Sequence, residues 1–238
     1  MPGETPDHML VWLPNQQLLF SADNYYHAFP NFYLIRGSVY RDFGLWADNL
    51  DAMRALEPKV LAPGHSQPLL GREKISQRLQ DYSAAIRFVI ETTVNGLNAG
   101  QSPDEIVEGL TLPDHLAHKP YLREFYGRLD WSVRAYAAGT IGWFDGNPTN
   151  LGRLSPKEEA NRMIALAGGA DAILDAANSS DEPQWILELT DRLIAAQQHL
   201  EQAKTLKARA LRHLADQQIN ATARNFYLVS ANDLEASE

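Results

Sequence analysis

In Lys59-Val60-Leu61-Ala62-Pro63-Gly64-His65 a four-residue apolar-centred run, Lys59 to Ala62, stops at a Pro-Gly pair and delivers a histidine. A buried strand of that length has no room for a helix turn to repeat, and Pro63-Gly64 ends it with a loop. Working backwards, Trp46, Leu50, Met53 and Leu56 recur at helical spacing, and Pro58 bounds that helix. Earlier still, Met9 to Leu13 and Gln17 to Ser21 read as two short strands about a Pro14-Asn15 turn, and Tyr33 to Ile35 reads as a strand or an ordered loop. Strand, helix and strand in this order predict an α/β layer whose chemistry sits in loops at the strand ends.

Working forwards, the pattern changes after Gly71. Ile75, Leu79, Tyr82, Ile86 and Val89 mark one face of a long helix reaching about Gly96. Ser102-Pro103-Asp104-Glu105 reads as a capped helix start, and Trp131 to Trp143 as a further helix closed by Asp145-Gly146-Asn147-Pro148. Ser155-Pro156-Lys157-Glu158 predicts a capping box. Beyond it, Trp185, Leu189 and Leu193 line one helix face, and Ala203, Leu206, Ala210, Leu211 and Leu214 line another. The expected class is therefore α+β, with an α/β part over residues 1–70 and an all-α part over residues 71–238.

Composition narrows the function classes. The 238 residues are 45% apolar and 21% charged, an ordinary globular balance. Thirty acidic against 21 basic residues give a formal charge of -9 with no offsetting basic run, which argues against nucleic acid as a partner. No stretch approaches the length of a membrane-spanning helix. Cysteine is absent, so disulfides and thiolate chemistry are excluded and any metal must sit on His, Asp or Glu. Met1 to Thr5 shows neither a basic nor an apolar leader region, and the compartment is left open.

Three residues of metal-ligand type stand in loops at or just beyond strands: Glu4, Asp23 and His65. Taken singly, each has an ordinary reading. A glutamate in a Pro/Gly turn is commonly solvated, an aspartate after a strand caps a turn, and a Gly-His in a loop is structural.

The order of motifs alters that reading. Pro2-Gly3-Glu4-Thr5, then Asp23 after an apolar strand, then Gly64-His65, resembles the second half of the metallo-β-lactamase superfamily, with Glu4 pointing to its alkyl sulfatase branch. Further matches to that branch are Asn31, Leu34-Ile35-Arg36-Gly37, Arg41-Asp42, Gly142-Trp143-Phe144-Asp145-Gly146-Asn147-Pro148, Leu166-Ala167-Gly168-Gly169 and Arg224-Asn225-Phe226-Tyr227-Leu228. The resemblance implies the C-terminal part of an αββα sandwich followed by a helical dimerisation domain. It further implies a zinc-dependent hydrolase of alkyl sulfate esters, acting as a homodimer. In that scheme Glu4 and His65 each hold one of two zinc ions and Asp23 bridges them as the catalytic carboxylate. Asn31, Arg36 and Arg41 would hold the sulfate, and Tyr126 would line the substrate pocket. Guanidinium forks suit a tetrahedral anion because their planar donors grip its oxygens in pairs.

Two departures qualify the resemblance. The family's opening His-x-His-x-Asp-His motif is missing, because the histidines stand at 8, 27, 65, 115, 118, 199 and 213. The expectation is a C-terminal portion of a longer sulfatase, or a truncated gene product. Trp131 stands where some family members place a histidine near the sulfate. Asp130 beside it is expected to cap the following helix. The competing expectations are a non-catalytic helical dimerisation module, and another hydrolase of the superfamily such as a lactonase or phosphodiesterase.

Overall fold

The structure is a computed structural model that describes residues 1–236. Its sheet has four strands in the order β1 (Val11–Leu13), β2 (Leu18–Ala22), β3 (Val60–Pro63) and β4 (Leu69–Leu70). β1 and β2 form an antiparallel pair, β2 and β3 run parallel, and β4 closes the sheet antiparallel to β3. The parallel pair requires a crossover, and the chain supplies it with a long loop and helix α1 (Phe43–Ala55). Asp42 caps α1 by accepting from the Leu45 N–H at 2.9 Å. Tyr33 to Ile35 belongs to the crossover loop and is not a strand.

Period-two alternation places Leu19 and Leu61 fully inside, while Phe20 faces out. Against the inner face lie Phe43, Trp46, Ala47, Leu50 and Met53 of α1, all fully buried. The long helix α2 (Arg72–Asn98) adds Ile75, Leu79, Tyr82, Ile86 and Val89 from the predicted face. Then follow α3 (Pro103–Val107), α4 (Asp114–Ala117) and α5 (Leu129–Ile141). Ser102 and Glu105 form the reciprocal capping box at α3. Arg128, not Asp130, occupies the N-cap of α5, and the Asp130 carboxylate instead pairs with Arg128 at 2.9 Å.

The remaining α-helices among the described residues are α6 (Pro156–Leu166), α7 (Ala170–Ser179), α8 (Pro183–Ala196), α9 (Leu200–Gln217) and α10 (Ala221–Ala236). Their core contains Ile164, Ile173, Leu189, Leu193, Ala203, Leu206 and Leu211. Trp185, placed by spacing on one helix face with Leu189 and Leu193, is 47% exposed while those two are buried.

The chain divides into two compact units, Met1–Asn147 and Pro148–Glu238. No break in packing occurs near residue 70: one hydrophobic cluster runs from Leu19 through α1 and α2 to Val133. A composition change marked the start of helices there, but α2 is the layer that covers the sheet. A single four-stranded sheet is seen among the described residues, so the two-sheet sandwich implied by the resemblance is not complete in them.

Candidate active site

Parallel pairing of β2 with β3 brings their carboxyl ends to one edge, with Ala22 opposite Pro63. The residues that follow are Asp23 and His65, and His65 Nδ1 lies 2.7 Å from Asp23 Oδ1. Gly64 permits this approach. Its N–H donates to the Ala22 carbonyl at 2.9 Å, and a Cβ there would stand 2.8 Å from Asp23 Oδ1. The His65 side chain is 81% exposed, and the hydrogen bond it donates to the Asp23 carboxylate, reinforced by that charge, holds the imidazole pKa above its ordinary value.

Glu4 reaches this end of the sheet through Asn24. That side chain is fully buried; its Oδ1 accepts the Glu4 N–H at 3.0 Å, and its backbone carbonyl accepts Trp46 Nε1–H at 3.0 Å. The Glu4 carboxylate accepts from Arg41 Nη1 at 3.0 Å, with side-chain exposures of 17% and 7% respectively. Burial pushes the Glu4 carboxyl above its ordinary pKa, and the Arg41 charge opposes that shift. The charges of Asp23 and His65 also act on Glu4, so the three predicted donors lie within electrostatic reach of one another.

His8 completes the edge and had no role in the sequence reading. Its Nε2 accepts the Asp23 N–H at 2.9 Å, so the ring proton is assigned to Nδ1, which faces Thr5 Oγ1 at 3.0 Å. Thr5 in turn donates to Asp7 Oδ1 at 2.8 Å. Burial holds the His8 pKa below its ordinary value, which favours this neutral acceptor form. Nothing in the spacing around His8 or Asn24 signals these roles; both depend on residues some 15 to 23 positions away.

The predicted sulfate residues separate into two kinds. Arg41 is committed: besides Glu4, its guanidinium donates to the Asn31 carbonyl. The Asn31 N–H donates to Tyr26 Oη at 2.6 Å, so the Asn31 backbone is held from both sides. Arg36 is exposed and makes no ion pair among the described residues. Tyr126 is half exposed, and its neighbour Gly127 lies against the Pro30–Asn31 backbone. Trp131 carries the Arg128 guanidinium 5.1 Å from its ring centroid.

As a metal site, the arrangement is partial. Asp23 and His65 are paired, but Glu4 is paired with Arg41, and no cluster of three His, Asp or Glu side chains able to hold a metal occurs among the described residues. Zinc asks for about three protein ligands, so these residues do not by themselves fit a zinc pair.

Solved alkylsulfatases share this fold over the matched length. The stereoselective inverting sec-alkylsulfatase Pisa1 from a Pseudomonas species superposes with a TM-score of 0.93 at 32% identity, over 100% of this chain and 39% of that one. The chain belongs to the alkyl sulfatase dimerisation family, whose model matches residues 102–237. Relatives include a linear primary-alkylsulfatase of Pseudomonas sp. (strain ATCC 19151), 40% identical over 99% of this chain and 46% of that protein. The alkyl/aryl-sulfatase BDS1 of Saccharomyces cerevisiae is 34% identical over 98% of this chain and 37% of its own length. The chain thus spans less than half the length of these relatives.

Proposed function

We propose that this chain is part of a zinc-dependent alkyl sulfatase that cleaves alkyl sulfate esters. Asp23 and His65 are the donors it offers directly. Glu4, now paired with Arg41, would be the third, and a zinc pair would need further ligands besides these three. The observation that carries the reading is the Asp23–His65 pair at the ends of two parallel strands, with Glu4 in electrostatic reach. Arg36, exposed and without an ion pair among the described residues, is the residue we assign to the sulfate. A guanidinium already in place there stabilises the anion that accumulates as the ester bond breaks. Asn31 and Tyr126 border the same loop, and the homodimer is assigned to the helical region.

Elemental analysis of the purified 238-residue chain tests the donor assignment. Little or no bound zinc, with zinc retained once the chain is joined to a His-rich partner segment, supports it. A full zinc pair on the chain alone overturns it. A second reading, a helical dimerisation module without catalysis, is favoured by the lack of a three-donor cluster among the described residues. Stable dimers with no alkyl sulfate turnover in the zinc-loaded, joined protein would select that reading.

A further inference from the structure

The segment from Asn31 to Arg41 is a loop, yet it is anchored at both ends. At its start, Phe29 N–H donates to the Arg123 carbonyl at 2.8 Å. A Cβ on Gly127 would stand 2.1 Å from the Pro30 carbonyl oxygen and 2.9 Å from Asn31 Cα, so only glycine allows this backbone approach. At its end, Tyr40 lies across Gly139 of α5, where a Cβ would be 2.0 Å from the Tyr40 ring. Tyr40 also stacks on Phe43 at 6.0 Å, and Phe43 meets Phe32 at 3.8 Å and Tyr136 of α5 at 5.1 Å. Between the anchors the chain turns, with Gly37 N–H donating to the Leu34 carbonyl at 2.7 Å, and Arg36 stands exposed in that turn.

We infer that Gly127 and Gly139 are positioning residues for anion binding: they seat the Asn31–Arg41 loop on α5 and its lead-in, and so fix where Arg36 is presented. The substrate part of this inference rests on the proposed sulfatase reading. Its consequence is that the region matched by the dimerisation family, which begins at residue 102, is also the bed of the substrate loop. Loops that carry binding residues need such a rigid bed, because a loosely held group loses its geometry.

The test is a double-variant comparison on the 238-residue chain, read by amide hydrogen exchange. Gly139→Ala is expected to speed exchange across residues 33–41 by about tenfold while the amides of α2 stay protected. In a Tyr40→Ala background the added methyl has room, so Gly139→Ala should there change nothing further. An unaltered loop in Gly139→Ala, or an effect that persists without the Tyr40 ring, overturns the seating. Hexyl sulfate below its micelle concentration probes the substrate role. It should protect residues 33–41 in the unsubstituted chain, and about tenfold more should be needed in Gly139→Ala. No protection of the unsubstituted chain overturns the sulfate reading, an outcome separate from a seating that fails the exchange comparison.

Discussion

The two compact units bury different things. Within Met1–Asn147 the interior holds Asn24, Asn31, Arg41 and Asp81 alongside its aromatic core. In Pro148–Glu238 the buried polar groups among the described residues are Thr190 and Asn220, and the core is built from Leu, Ile and Ala. Thr190 merely returns its hydroxyl to the Ile186 and Leu187 carbonyls of its own helix. Buried polar groups cost free energy unless partnered, so a region that keeps many is spending stability on position. Both units expose large apolar side chains, Met9 and Trp143 in the first and Leu166 and Phe226 in the second, so the difference lies in what they bury. One unit is organised to hold polar groups in place, the other to pack helices.

The contrast can be broken most forcefully at the cores. Trp46 is fully buried, and its indole N–H holds the Asn24 carbonyl. Trp46→Ala is expected to lower the stability of the first unit by about 3–5 kcal/mol. Leu193→Ala, at a site where no polar partner is lost, should cost the second unit about 2–5 kcal/mol. Denaturant titration followed by exchange of α2 and α9 amides measures both. If the Leu193 variant equals or exceeds the Trp46 variant, the first unit draws less from its polar–aromatic interior than the contrast claims.

Next in size is the separation of the two arginines. Arg41→Ala leaves the Glu4 carboxylate without its partner in a mostly buried site, a loss of about 3 kcal/mol. Arg36→Ala removes an exposed side chain and should stay within about 0.5 kcal/mol of the parent. Chemical denaturation of the two variants separates them. Equal destabilisation would show that Arg36 also has a structural task.

The smallest effects are those of pH. His65 has a raised pKa in the folded state, so the stability it contributes is full below about 6.5 and is lost as pH rises through the raised value. His8 has a lowered pKa, so its neutral bonds cost stability as pH falls below about 6.5 toward that lowered value. Imidazole NMR titration should therefore find the two rings on opposite sides of the ordinary histidine value, and Asp23→Asn should remove the His65 elevation. Two rings titrating together would show that the Asp23 contacts do not distinguish them.

Local signals sufficed where a helix start is chemically self-contained, as at α3 and α6: Ser102 accepts from the Glu105 N–H and Ser155 from the Glu158 N–H, three residues on. The strand ends were legible for a similar reason, since Pro63-Gly64 must end β3 and Asp23 must follow the apolar run of β2. That placed Asp23 and His65 correctly at loops, and left their meeting to the parallel register. Trp185 misled because helical spacing identifies a shared face but not whether another helix covers it.

Sequence by itself therefore determined the α+β class, the capped helices and the types of residue available for chemistry, because these depend on interactions within a few positions. Tertiary structure alone decided that His8 braces Asp23, that Arg41 is held by Glu4 while Arg36 is exposed, and that Gly127 and Gly139 receive a loop from nearly 100 residues away. Those assignments turn on contacts across long loops, whose closure is set by the packing of the whole unit and not by any pattern within the loop itself.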